Sequence, residues 1–138
     1  MNTRTVAYWT TTGLFAAALS LSGIAALSRV PAVAAGYQHL GYPLYFMSIL
    51  GAAKLLGVFT LLAPGLPRLK EWAYAGFAIN LVSASVSHLA AGDPAGPALT
   101  PVVLLGVAMA SWALRPEGRT LAPVLAEPAP MRVAAAAT

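Results

Sequence analysis

The residue whose type and position first point to chemistry is Lys54, which lies within an apolar stretch from Leu44 to Ala63. This stretch is long enough for a helix that crosses a bilayer, and Lys54 is its only charged residue. It follows Leu44 by about 15 Å of helix, so it lies near the middle of a membrane. An ammonium group there costs about 2.5–3.5 kcal/mol, and an ionisable residue at that depth indicates a function.

Two further polar residues, Asn80 and His88, lie where they can join Lys54. Asn80 is about 12 Å into the apolar run that starts at residue 72. A short loop joins this run to the one that contains Lys54, so we expect the two helices to be antiparallel neighbours. The Asn80 carbonyl can then accept a hydrogen bond from the Lys54 ammonium. His88 follows on roughly the same helix face, nearer the surface.

These residues predict a ligand pocket that opens toward the outer leaflet. Lys54, Asn80 and His88 are expected to line it, with His39 and Tyr42 from the preceding loop at its mouth. Sites in helix bundles are built from a few polar groups in an apolar wall, and a ring with a carbonyl or hydroxyl group would suit this one. The alternative is that these groups bind water or one another in a solid bundle.

Metal and haem chemistry is less favoured by the sequence. His39 and His88 with Asp93 could in principle ligate a metal, and two histidines could ligate a haem. Hydrogen bonding of these side chains to loops and water is the interpretation we prefer, and no metal site is predicted. There is no cysteine, which excludes disulfides and thiolate sites within the chain.

The composition is that of a membrane protein. Of 138 residues, 59% are hydrophobic and 9% charged, against about 25% charged in a typical soluble domain. The eight basic residues are scattered between apolar runs, whereas nucleic-acid binding requires them clustered on one surface. We therefore expect the lipid bilayer, and no nucleic acid, as a partner.

Four apolar runs predict an all-α fold, an antiparallel bundle of four membrane-spanning helices within residues 1–115. The predicted spans are residues 6–27, 44–63, 72–91 and 98–114. A short interfacial helix beginning at Pro31 is expected between the first two, and residues 116–138 are expected to be a disordered cytoplasmic tail. Small residues in the first run are spaced for close helix packing: Gly13, Ala16, Ser20 and Gly23.

The distribution of basic residues predicts the orientation. With both termini in the cytoplasm, one basic residue, Arg29, lies outside. Six lie inside: Arg4, Arg68, Lys70, Arg115, Arg119 and Arg132. Cytoplasmic loops carry an excess of lysine and arginine, so this orientation is the expected one.

Short strings across the chain carry a family resemblance. They are HLGYP from His39, KLLG from Lys54, KEWAYAGF from Lys70 and SHL from Ser87. On these the chain resembles the DoxX-like family of small bacterial membrane proteins. The resemblance implies four helices in the bacterial cytoplasmic membrane and an association with membrane redox systems, including quinone reduction. Many members carry an acidic residue where this chain has Asn80, and a lysine after the serine-glycine pair that is Ser22-Gly23 here.

Three functions remain open at this point. The first is a subunit or binding module for a lipophilic redox partner such as a quinone. The second is a small membrane enzyme, of the isomerase or epoxide-opening type, with Lys54 or His88 as acid or base. The third is a structural or assembly partner without a ligand.

Overall fold

A computed structural model describes residues 2–121, and the regular structure in this part of the chain is helical throughout. The helices are α1 (Thr3–Leu27), α2 (Pro31–His39), α3 (Leu44–Leu62), α4 (Pro67–Ala90) and α5 (Ala95–Ala113), followed by a single 3₁₀ turn at Glu117–Arg119. The all-α prediction is confirmed. The short helix expected between the first two runs is α2, and it begins at Pro31, whose ring presets the helical φ.

Three helices of the described region, α1, α3 and α5, are long and apolar enough to cross a membrane. The predicted third span falls in α4, which has 24 residues but is not among these three. Asn80, His88 and three serines lower its apolar character. Large apolar side chains face outward, with Trp72 77% and Phe59 69% exposed. Lipid, unlike water, can cover such a surface.

The turn between α3 and α4 makes α4 begin earlier than the sequence indicates. Gly65 and Leu66 both adopt positive φ, at 65° and 56°, and Pro67 follows as the first helical residue. Glycine takes this conformation without strain, whereas leucine rarely does. The chain therefore changes direction within four residues, 63–66, and the polar segment before residue 72 becomes part of α4.

The four long helices contact one another in a closed cycle. The helix α1 packs against α3 and α5, α4 packs against α5 and α3, and α2 lies along α3 and α1. The backbones of α1 and α3 meet at Gly23 and Gly51, where a Cβ added to Gly51 would lie 3.0 Å from the Gly23 carbonyl oxygen. Small residues permit this close approach in lipid. Of the predicted small-residue stripe, Ala16 and Gly23 are buried, whereas Gly13 faces open space.

A buried polar network joins three helices at the end of the bundle where α1 begins. The Ser111 hydroxyl oxygen on α5 lies 2.7 Å from the hydroxyls of Thr12 on α1 and Tyr74 on α4. Thr12 and Ser111 have no exposed surface. Since buried hydroxyls are costly without partners, this network specifies how α1, α4 and α5 meet.

Basic side chains at the same end cap the carboxyl ends of helices. The buried Lys70 ammonium donates to the Thr60 carbonyl at 2.8 Å. Arg119 donates to the Leu61 carbonyl at 2.9 Å, and Arg4 donates to the last carbonyl of α5 at 3.3 Å. The final carbonyls of a helix lack partners within it and carry its negative dipole end. Residues that indicate orientation in the sequence therefore also stabilise helix ends.

The segment after α5 differs from the expected disordered tail in its first residues. Glu117–Arg119 forms a 3₁₀ turn, and the Arg119 guanidinium lies 4.6 Å from the centre of the Trp9 ring. A cation over an aromatic face, together with the carbonyl contact to α3, holds this segment on the bundle. The rest of the predicted tail, residues 122–138, lies outside the described residues.

Candidate functional site

A cavity of about 390 Å³ lies between α3 and α4, closed at one end by α2 and the turn that follows it. Its apolar wall includes Leu50, Ile79 and Phe46. Its polar lining residues are Tyr37, Tyr42, Lys54, Asn80, Ser83, Ser87 and His88. The structure therefore brings four of the five predicted site residues to one cavity, and the fifth, His39, is not on its wall.

The helices α3 and α4 approach each other closely beside the cavity. There the Phe77 ring of α4 presses against Gly57 of α3, so that a side chain at Gly57 would clash with the ring. A second cavity of about 240 Å³ lies beside this contact. Both cavities share Lys54 and Asn80 as lining residues, which makes these two side chains the polar boundary between them.

The hydrogen-bond partner of Lys54 differs from the expected one. Its ammonium donates to the Ser22 hydroxyl of α1 at 2.9 Å, not to Asn80. Lys54 follows Gly51 by about one turn of α3, and Ser22 adjoins Gly23, so the close backbone approach of α1 and α3 brings the two side chains together. The lysine is thus anchored from α1 while it lines the cavity between α3 and α4.

Asn80 belongs to a polar stripe along α4. Within residues 2–121 its side chain makes no hydrogen bond to protein, and it is half-buried on the cavity wall. Ser83, Ser87 and His88 line the same cavity, at spacings that put all four residues on one face of a helix. The two serines are absent from the sequence-based set, although this spacing could have revealed them.

Asp93 holds both histidines of the chain. One carboxylate oxygen lies 2.6 Å from His39 Nε2, and the other lies 2.6 Å from His88 Nδ1. His39 ends α2, His88 lies in the last turn of α4, and Asp93 is in the turn before α5. The hydrogen bonds from His88 and then His39 hold the pKa of the Asp93 carboxyl below its usual range, so it is a carboxylate at neutral pH.

Two tyrosines form the end wall of the cavity. The Tyr42 ring stacks on Phe46 with 5.1 Å between centroids, and its hydroxyl lies 2.7 Å from Ser87 Oγ. Ser87 donates its own proton to the Ser83 carbonyl, so its oxygen accepts from Tyr42. Burial, and then the neighbouring Tyr42, raise the pKa of Tyr37, which keeps that phenol neutral.

The site combines a lysine, a neutral amide, a carboxylate-bound imidazole and aromatic rings around an apolar space. Within the described region, no cluster of three or more His, Cys, Asp or Glu side chains suits a metal ion. The two histidine nitrogens that face Asp93 are hydrogen-bonded to its carboxylate. The arrangement can donate hydrogen bonds to, and accept them from, an uncharged ligand that contains a ring.

A family model matches most of the chain. The family model described as the DoxX-like family matches residues 10–111, which include α1 to α5 except for a few residues at the outer ends of α1 and α5. No curated protein matches the chain, and neither does any solved structure. The match agrees with the resemblance in the HLGYP and KEWAYAGF strings. The chain therefore belongs to the DoxX-like family and is a membrane protein.

Proposed function

We propose that the chain is an antiparallel bundle of four membrane-spanning helices in the bacterial cytoplasmic membrane, with both termini cytoplasmic. The contacts of α1 support this arrangement. Gly23, near its end, meets the first half of α3, whereas Trp9, near its start, meets the segment that contacts the end of α3. The helix α4 completes the cycle between α3 and α5.

Single cysteines test this topology, because the chain has none of its own. Pro64 and Ala91 are exposed in turns at opposite ends of α4, and neither has a positive φ. A membrane-impermeant thiol reagent should label Ala91→Cys in intact cells and Pro64→Cys only after permeabilisation. Labelling of Pro64→Cys in intact cells would refute the orientation.

Within the membrane, we propose that the protein binds a lipophilic ring compound with carbonyl or hydroxyl groups, of the quinone class, for a membrane redox partner. The observation that carries this proposal is the cavity between α3 and α4. Its volume of about 390 Å³ is within the range of small-molecule sites. Lys54 is a donor in this cavity, and stacked aromatic rings lie at its end. The Asn80 amide on its wall has no hydrogen-bond partner within residues 2–121.

The position of Lys54 favours ligand binding over a purely structural role. One hydrogen bond, to Ser22, satisfies one of the three ammonium protons. The remaining donors and the Asn80 amide adjoin the same space. An uncharged carbonyl there would accept from the ammonium without adding a second charge to the membrane interior.

Thermal unfolding in detergent with short-chain quinone analogues tests the proposal. A ligand at about 100 times its Kd stabilises a protein by about 2.7 kcal/mol, which is readily measured. Lys54→Met should abolish the increase in melting temperature. Arg68→Met is the control, because it replaces an exposed basic residue outside the cavity. This variant should retain the increase in melting temperature. If quinone analogues do not raise the melting temperature of the folded native protein, the structural role without a ligand is favoured.

A catalytic role is the second candidate, because the cavity also contains an imidazole oriented by a carboxylate. His88 bound to Asp93 is a general acid-base arrangement, and Lys54 lines the same space. Turnover of a lipophilic substrate by the purified protein, lost in His88→Gln, would favour an enzyme over a binding module.

A further inference from the structure

The contact between His88 and Asp93 determines which proton the imidazole carries toward the cavity. An ionised carboxylate can only accept hydrogen bonds. The two oxygens of Asp93 lie 2.6 Å from His39 Nε2 and from His88 Nδ1, so both of these nitrogens carry protons. When His88 is neutral, its single proton is therefore on Nδ1, and Nε2 has a lone pair.

His88 is on the cavity wall, and Nε2 is the ring nitrogen that remains for a ligand because Nδ1 bonds to Asp93. The residue lines the space between α3 and α4, and Nδ1 faces Asp93 in the turn before α5. Within residues 2–121 no protein group hydrogen-bonds to Nε2. Its lone pair is thus an unused acceptor at the end of the cavity opposite the Phe77–Gly57 contact.

We propose that neutral His88 selects ligands with a hydroxyl donor, so that the cavity prefers a lipophilic phenol or hydroquinone to the same molecule without that proton. This inference rests on the proposed function and specifies which form of the ligand is bound. The ligand O–H donates to Nε2, while Lys54 and the Asn80 amide contact polar groups nearer the membrane centre. Asp93 is a positioning residue, because its hydrogen bond with Nδ1 determines the tautomer of His88.

Other charged or titratable groups near the cavity do not supply the same acceptor. Lys54 on α3 is a donor. The Tyr42 hydroxyl donates to Ser87, and Tyr37 stays a neutral phenol. His39 contacts the far oxygen of Asp93 and lies off the cavity wall, and α5 has no titratable side chain.

Protonation of His88 should reverse the selection. The imidazolium has a proton on both nitrogens, so Nε2 becomes a donor and the preference for a hydroxyl ligand disappears. His39 and Asp93, which face the imidazole from α2 and the turn before α5, are the groups that influence its protonation.

The test compares a 4-alkylphenol with its methyl ether, which keeps the ring oxygen but has a methyl group in place of the donated proton, and neither compound has a quinone–hydroquinone couple. Binding is measured by thermal shift and calorimetry in detergent. In the native protein with neutral His88, the ether should bind about fivefold more weakly, the equivalent of one ordinary hydrogen bond. The difference should vanish at a pH where His88 is protonated.

Nitrogen NMR of ¹⁵N-histidine-labelled protein reads the tautomer directly. The chain has two histidines, so His39→Gln, whose amide can still donate to Asp93, leaves His88 alone in the spectrum. We expect a protonated Nδ1 and an unprotonated Nε2. Adding Asp93→Asn, whose amide can donate to Nδ1, should shift the tautomer and reduce the preference for phenol.

The outcomes separate this inference from the proposed function. Equal binding of phenol and ether at neutral His88, or a protonated Nε2 in neutral His88, would overturn the hydroxyl preference and leave a quinone-class site standing. A folded protein that binds neither compound nor any quinone analogue would overturn both. Tighter phenol binding with the expected tautomer would support the inference.

Discussion

The hydrogen bond between Lys54 and Ser22 allows a direct test of how the half-buried lysine is stabilised. Ser22→Ala removes the hydroxyl that lies 2.9 Å from Lys54 Nζ and should destabilise the protein. Lys54→Met in the same background should recover most of this loss, because a hydrogen bond removed together with both polar partners is nearly neutral. The measured quantity is the coupling free energy of the double-mutant cycle.

Two general values bracket the expected magnitude. Hydrogen bonds to charged groups contribute about 1.5–3 kcal/mol, whereas bonds between membrane helices average about 0.6 kcal/mol and reach about 1.7. Lys54 is half-buried and Ser22 is exposed on the protein surface, where lipid surrounds a spanning helix. We therefore expect a coupling of about 1–2 kcal/mol between Lys54 and Ser22.

The same cycle with Asn80→Leu in place of Ser22→Ala is the matched control. Lys54 does not bond to Asn80 in the structure, and the two side chains share only the cavity lining, so their coupling should be smaller than that of Lys54 with Ser22. Unfolding in mixed micelles, followed by tryptophan fluorescence, gives all the free energies. A coupling near zero for Ser22 together with a large one for Asn80 would refute the assignment of the partner.

Three further predictions concern packing, the buried network and pH. Gly57→Ala should cost about 1–3 kcal/mol in thermal unfolding, because its methyl group meets the Phe77 ring, whereas Gly13→Ala, in open space, should be neutral or slightly stabilising. Ser111→Ala leaves the buried hydroxyls of Thr12 and Tyr74 without their shared partner and should lower the free energy of unfolding by about 2–4 kcal/mol. A loss of stability near zero would exclude the network as a stabilising element. The pKa of Asp93 is lowered in the folded state, so the stabilisation by this carboxylate is present above its pKa in the unfolded chain and is lost as the pH falls through its pKa in the folded protein. Asp93→Asn should therefore flatten the fall in melting temperature over that acidic range. An unchanged dependence of the melting temperature on pH would contradict this prediction.

The helices themselves could be predicted from the sequence because apolar runs and proline act locally. The apolar pattern predicts a span at residues 44–63, and α3 is Leu44–Leu62. The short helix α2 begins at Pro31, as its ring geometry requires. Burial in lipid demands long uninterrupted helices, so the pattern of hydrophobic residues was sufficient to predict an all-helical membrane protein.

The polar partners depended on the tertiary structure. Depth along a helix predicted that Lys54 and Asn80 come near each other, and both line the same cavity. Depth does not determine which neighbouring helix a side chain contacts. The Gly23–Gly51 contact brings α1 close to α3 and offers Ser22 to the ammonium.

The histidine pair and the chain after α5 show the same limit. His39, His88 and Asp93 come from three different segments, and a single carboxylate joins them only because α2 and the turn before α5 meet at one end of the bundle. Arg119 follows the last helix in a segment whose composition indicates disorder, yet it bonds to Leu61 and lies over Trp9. Hydrophobic patterning determines which segments are helical, whereas the rotation and packing of those helices decide which polar atoms lie within about 3 Å of one another.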